Sequence, residues 1–271
     1  MKLKSYLMAL AALTFAACQQ DDTPAMQEQE LRIATRSTSD ESATETFTRS
    51  FTLELWSTAD ATEHESHSMT YTDDTGWNTV TSSVLPATAF AYCGEGVSNV
   101  TSPTSYTVTL QTDQTNATKL ADADVMTATG NATKESSLDL DFAHVFAKVT
   151  FNATLASEFD AADYIETFNV TAVDGETVNA YVDGKTVSAI ITPGQYTAES
   201  VFLSITVSGV EKPLTVKVPS GGFTFNAGKH YTFDLKVGKD KVILTEVSAS
   251  NDFPGNWYDN DNYSDDVNLN N

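Results

Sequence analysis

Cysteine, arginine and tryptophan are the residues this chain has least of. Its 271 residues include two cysteines, Cys18 and Cys93. If Cys18 is spent on an N-terminal modification, Cys93 has no partner and no intrachain disulfide can brace the fold. Cys93, within Ala-Phe-Ala-Tyr-Cys, then reads as a small buried apolar residue. The three arginines, Arg32, Arg36 and Arg49, all lie in the first 49 residues, and no Lys or Arg falls between Ser50 and Thr118. With 15 basic against 37 acidic residues the formal net charge is −22. Such a surface repels phosphate backbones, so nucleic acid is not an expected partner. Motifs of cofactor and hydrolase chemistry are missing too. There is no Walker A loop, and Gly94-x-Gly96 lacks the third glycine and following helix of a dinucleotide site. No Gly-x-Ser-x-Gly elbow occurs.

What is present starts with a signal. Lys2 and Lys4 precede an apolar run from Tyr6 to Phe15 that is too short to cross a bilayer as a helix. The run ends Phe15-Ala16-Ala17-Cys18, which resembles a bacterial lipobox and implies lipidation of Cys18 after loss of residues 1–17. Gln19-Gln20-Asp21-Asp22 is similar to the acidic tag that sends some lipoproteins to the outer face of the outer membrane. Losing Lys2 and Lys4, with no acid before Cys18, takes the net charge from −22 to −24.

Residues 18–46 are polar, rich in Ser, Thr, Glu and Gln, and read as a flexible tether. Because all three arginines lie at or just beyond this arm, an Arg-specific protease could sever the arm and find no site further into the body. Arg36, in Thr-Arg-Ser-Thr, is the favoured cut. Arg49 is the other candidate, but it lies in an alternating run that would form the first strand. Leu31 and Ile33 alternate about Arg32, a weak strand signal.

The body is a succession of short strand signals. Phe47–Trp56, Met69–Thr72, Gly76–Val80, Ala89–Tyr92 and Tyr106–Leu110 come first, and Gln111–Lys134 reads mostly as loop. Then Leu138, Leu140 and Phe142 alternate with Asp139 and Asp141, one wet face and one dry. Past His144 both faces turn apolar, through Val145, Phe146, Ala147, Val149 and Phe151, as in a strand covered from two sides. Further strands are expected at Phe168–Val173, Val178–Val182, Phe202–Val207, Leu214–Val218, His230–Val237 and Val242–Val247. Asp183-Gly184 marks a tight hairpin. Regular short strands divided by Gly, Pro and Asn turns predict β-sandwiches. Two are expected, at 47–136 and 137–257, with the stretch from Ser137 opening the second and His144 packing near the junction. Residues 258–271 form an acidic tail.

Several clusters resemble chemistry and are read more simply. Glu63-His64-Glu65-Ser66-His67 is one residue short of a His-Glu-x-x-His zinc motif, so a solvated loop is expected and no metal site. His144 is read as a satisfied core histidine and Lys148 as a residue that snorkels or pairs. Asp259-Asn260-Asp261-Asn262 lacks the glycine of a calcium loop. No catalytic residue and no cofactor are expected.

The motifs together resemble the fimbrillin family, subunits of the type V pili of gut and oral Gram-negative bacteria. The resemblance rests on the lipobox and Thr-Arg-Ser arm, Ala89–Tyr92, and Gln114 followed by Asp124-Val125-Met126. Asp141–Phe151, Phe225–Phe233 and the closing Trp257 complete it. It implies two tandem antiparallel, transthyretin-like β-sandwich domains and no enzymatic activity. It also implies a surface precursor, opened by removal of an N-terminal strand and joined to neighbouring subunits by strand addition. Its other partners would be the outer membrane and a host or bacterial receptor. Tyr258–Asn271 has Asp and Asn where a donor strand needs alternating apolar side chains, so the tail is not expected to donate. The alternative is a non-polymerising surface lipoprotein that binds glycans on Trp56, Trp77 or Trp257.

Overall fold

A computed structural model describes residues 29–37, 47–60 and 62–249. Cys18, Trp257, the Asp259–Asn262 cluster and the acidic tail lie outside those residues. Described residues 29–137 give ten strands and a helix, then an eleventh strand. These are β1 (Gln29–Leu31), β2 (Ile33–Ser37), β3 (Phe51–Ser57), β4 (His64–Met69), β5 (Tyr71–Thr72) and β6 (Gly76–Trp77). There follow β7 (Val80–Ser82), β8 (Ala87–Cys93), β9 (Val97–Ser102), β10 (Ser105–Val108), helix α1 (Ala117–Ala123) and β11 (Met126–Ala132). The next are β12 (Leu138–His144), β13 (Ala147–Leu155), β14 (Ile165–Thr171), β15 (Thr177–Asn179), β16 (Tyr181–Asp183) and β17 (Thr186–Ile191). The last are β18 (Gly194–Tyr196), β19 (Val201–Val207), β20 (Leu214–Lys217), β21 (Phe223–Phe225), β22 (His230–Val237) and β23 (Val242–Ala249). The protein is almost entirely β, as the strand pattern predicts.

Two hydrophobic cores organise these elements. The first sheet runs β2-β12-β11-β8-β3-β4, and its dry face carries Leu53, Leu55, Ala89, Ala91, Leu138, Leu140 and Phe142, all buried. The second core lies between sheets β16-β17-β13-β22-β23 and β15-β14-β19-β20, filled by Val149, Phe151, Phe168, Val170, Leu203 and Phe233. Most ladders are antiparallel; β2–β12 and β13–β22 are parallel.

The long central strand of the sequence reading is two strands. Leu138–His144 belongs to the first sheet, paired with β11 and β2, and Ala147–Leu155 lies in the second, between β17 and β22. The change therefore falls at Val145–Phe146, not near Ser136, and Phe142 and Val149 sit in separate cores. The switch from one dry face to two marks the place where the chain leaves a sheet covered on one face.

Other departures have local causes. Within 111–134, expected as loop, lie α1 and β11. Helix α1 has seven residues, too few for periodicity to show, and starts where the Asn116 side chain accepts from the Lys119 amide. β11 alternates, but its inward residues include only Ala128 and Ala132 beyond Met126, so its apolar signal is small. Gly130 is required there. A Cβ on it would stand 2.7 Å from Leu138 Cδ1 and 3.0 Å from the Asp139 carbonyl, so its absence lets β12 close on β11. Glu63–His67, expected as loop, contributes β4, an edge strand whose backbone pairs with β3 whatever its side chains. The strand expected over Phe47–Trp56 is β3 and begins at Phe51. The hairpin of β16 and β17 is present, with Gly184 at φ 62° in its two-residue connection.

Candidate functional site

The arm is not a tether throughout. Its residues 29–37 are strands: β1 pairs with β7, and β2 lies parallel to β12, Ile33 opposite Leu138 through Ser37 opposite Phe142. β2 is the edge of the first sheet, so backbone pairing holds it on one side only. Leu31 is buried in the first core and Thr35 and Ser37 are buried beside it. Thr35 Oγ1 donates to the Phe47 carbonyl at 2.8 Å and accepts from the Trp77 indole at 3.1 Å. Phe47, which ends the arm, stacks on Phe142 with centroids 4.1 Å apart, and Phe51 meets the same ring edge-on at 5.1 Å. A cleft of about 560 Å³ runs between the arm and the β5–β6 hairpin, where Trp77 packs on Phe51 and Tyr71. Trp77 is thus part of the arm's seat and half-buried, not an open platform; Trp56 stacks on His64.

The two candidate cleavage arginines sit differently. Arg36 lies within β2, its guanidinium 3.2 Å from Asp141 with both side chains about half exposed, a pair worth at most about 1 kcal/mol. Arg49 lies in the bend before β3. Its Nη1 donates to Asp124 Oδ2 at 2.8 Å, and Nη2 donates to the Ala121 and Asp124 carbonyls at 3.0 and 3.1 Å. The residues between them, 38–46, lie outside the described ones.

Asp124 is the hub of a second cluster, where the two cores meet. Its Oδ1 accepts from His144 Nδ1 at 2.6 Å while Oδ2 accepts from Arg49. His144 and Asp124 are both buried. Asp124 follows α1 and His144 ends β12, so this carboxylate ties helix, arm bend and the first sheet's last strand together. Gln114 makes a parallel stitch to the second sheet: its amide oxygen accepts from the Ile190 amide at 2.7 Å and its nitrogen donates to the Ile190 carbonyl at 2.9 Å.

Beneath this cluster, the outer face of the second sheet carries Lys148, Thr150, Ser188 and His230. Lys148 does not snorkel; only 2% of it is exposed. Burial pushes its ammonium down to about 7, against a smaller opposing pull from Asp124. His230 donates or accepts across 2.9 Å to Thr150 Oγ1, and burial first, then the Lys148 charge, pushes it down to about 3. Cys93 is buried in the first core, and burial lifts its thiol to about 11, which makes it inert as a nucleophile. Sequence periodicity placed His144 near a junction but gave no sign of Arg49 or Asp124 beside it, because those partners lie 95 and 20 positions upstream.

Among the described residues, no group of three or more His, Cys, Asp or Glu could hold a metal ion. Glu54, the partner of His64 at 2.7 Å, ties that histidine into the sheet.

No curated protein sequence matches this chain. Solved structures do match its fold. A candidate cell adhesion protein of Bacteroides uniformis shares 18% identity, over 84% of this chain and 98% of its own, with a TM-score of 0.53. A second, from Bacteroides ovatus, shares 12% identity over 82% and 97%, with a TM-score of 0.51. The tip fimbrial protein Mfa3 of Porphyromonas gingivalis, truncated at its C-terminus, aligns at 12% identity over 82% and 98%, with a TM-score of 0.45. The two Bacteroides likenesses establish a shared fold. The fimbrillin-like family model matches residues 33–251, from the first residue of β2 to beyond the last strand, and the chain therefore belongs to the fimbrillin-like family.

Proposed function

We propose that this chain is a non-enzymatic surface adhesion or pilus subunit. It is a precursor anchored to the outer membrane through lipid on Cys18 and opened for assembly by removal of its N-terminal arm. The observation that supports this reading is β2, a five-residue parallel strand on the edge of the first sheet, within an arm that holds two of the three arginines of the chain, the third, Arg49, lying just beyond it. Withdrawing β2 leaves the β12 edge, Leu138–Phe142, without a neighbour and opens the place of Leu31 in the core. Another subunit's strand could fill it, with backbone hydrogen bonds supplying affinity and the alternation of side chains supplying register. In the same reading the two cores are tandem sandwich domains meeting at Val145–Phe146.

A cut after Arg49 releases the arm together with Phe47, whose ring must leave Phe142. A cut after Arg36 removes β1 and most of β2 but leaves Phe47 in place. Exposure to an Arg-specific protease distinguishes them: the mature chain begins at Ser37 or at Ser50. Processed protein is expected to form a ladder of heat-stable oligomers in detergent, and unprocessed protein is not. Complete arm removal without any ladder would sink the polymerising reading.

A further inference from the structure

The two candidate cuts meet very different surroundings. A protease that reads arginine must take the guanidinium into its own pocket and hold the residues around the bond extended in its cleft. We propose that Asp124 shields Arg49 from such a protease in the folded precursor. Hydrolysis is then confined to the Arg36–Ser37 bond, leaving a carboxylate on Arg36 and an amine on Ser37, and Asp124 sets where the mature chain begins. This inference rests on the arm-removal reading and adds what selects the bond.

Arg49 is held on both sides of the cut. Its guanidinium donates to Asp124 Oδ2 at 2.8 Å and to the Ala121 and Asp124 carbonyls at 3.0 and 3.1 Å. Its side chain is 33% exposed and that of Asp124 only 8%. Charge-assisted bonds of this kind are the strong ones, and a protease pocket must replace all three. Asp124 cannot swing out with the arginine, because His144 holds its other oxygen at 2.6 Å. Beyond the bond, Phe51 and Thr52 begin β3, which pairs with β4 on one side and β8 on the other. Drawing them into a cleft breaks two ladders and lifts the buried Phe51 ring off Phe142 and Trp77.

Arg36 meets neither obstacle. Its ion pair to Asp141 joins two half-exposed side chains and holds it weakly. Among the described residues β2 has a neighbour only on the β12 side, so its other edge is open to a cleft that pairs with substrate as a strand. A cut there takes Thr35 away from the Phe47 carbonyl. The clamp on Arg49 is built from α1, Asp124 and the end of β12, none of which leaves with the arm, so Arg49 stays covered.

The test follows digestion of the full chain by an Arg-specific endoprotease, with products weighed over time. In the folded chain the Ser37 product should appear first and the Ser50 product roughly a hundredfold more slowly. In the same chain unfolded in urea the two bonds should be cut at similar rates, which removes the protease's own preference as the cause. Asp124→Ala should speed the Ser50 product at least tenfold and leave the Ser37 product unchanged. Asp124→Asn, which keeps one acceptor, is the milder second variant and should speed it at least threefold. Resistance of the body to a Lys-specific protease shows that a variant is still folded. Equal rates at the two bonds in the folded chain, the same rate ratio in urea, or a folded variant with an unchanged Ser50 rate would each overturn the proposal. A Ser50 terminus on the folded wild type defeats this inference alone, whereas arm removal without an oligomer ladder defeats the reading beneath it.

Discussion

Lys148→Met should stabilise this protein near neutral pH, and the gain should vanish in base. The Lys148 ammonium is pushed from 10.5 to about 7 by burial. At roughly 1.4 kcal/mol per pH unit, that difference amounts to about 5 kcal/mol of penalty when the lysine is charged in both states. The unfolded lysine keeps its proton to about pH 10.4, whereas the folded one gives it up above about 7. Between those values the unfolded chain binds more protons, so wild-type stability rises with pH across the window. Below 7 the penalty is complete; above 10.4 neither state is charged and it is gone. Methionine has a similar length and no charge, but forfeits the ammonium's attraction to Asp124 and its polar contacts. We therefore expect a net gain of about 2–4 kcal/mol at pH 6.5, shrinking toward zero at pH 10. Urea unfolding of both proteins at pH 6.5, 8 and 10 measures it, and the titration of other groups cancels in the difference. His230, which Lys148 holds down, stays neutral in the fold throughout this range. A gap between variant and wild type that is constant with pH, or that widens in base, would refute the reasoning.

His230 has the complementary behaviour. Its folded value of about 3 lies below the unfolded 6.5, so it contributes stability that is lost as pH falls from 6.5 toward 3. His230→Gln should flatten that part of the wild-type curve, and a curve unchanged by the substitution would count against burial as the cause. Phe142→Ala removes a fully buried ring stacked on Phe47 and should cost about 3–5 kcal/mol in urea unfolding. It should also speed cleavage of the arm by an Arg-specific protease, since Phe47 loses its seat; unchanged cleavage would show that Phe47 does not hold the arm. Gly130→Ala places a methyl 2.7 Å from Leu138 Cδ1 and should cost about 1–3 kcal/mol, read as a lower urea midpoint.

Much of the fold was legible because strands announce themselves locally. The alternation of Leu138, Leu140 and Phe142, and the move of the apolar residues to the odd-numbered positions Ala147, Val149 and Phe151, identify two environments within one continuous run. What alternation could not give was the break between them, since Val145 and Phe146 are apolar and look like more of the same strand. β11 was missed because Ala and Gly carry the inward face with little apolar contrast, and α1 because two turns are too short for a period to repeat. β4 was missed because an edge strand is held by backbone bonds that polar side chains do not betray.

The sequence by itself determined that this is a β-rich chain. It has a start that resembles a lipobox, all three arginines within its first 49 residues, and a net charge of −22. These follow from composition and from short-range pattern, which need no knowledge of the distant chain. Only the tertiary structure decided that the arm is itself a strand, seated by Thr35, Trp77 and the Phe47–Phe142 stack. It also decided that Arg49, Asp124 and His144 meet above a buried Lys148. Those groups are joined through pairing of strands far apart in the chain, and no local period encodes which side chains such pairing brings into hydrogen-bonding distance. The arginines were visible from the start; of the strand beside them only the weak alternation of Leu31 and Ile33 was legible.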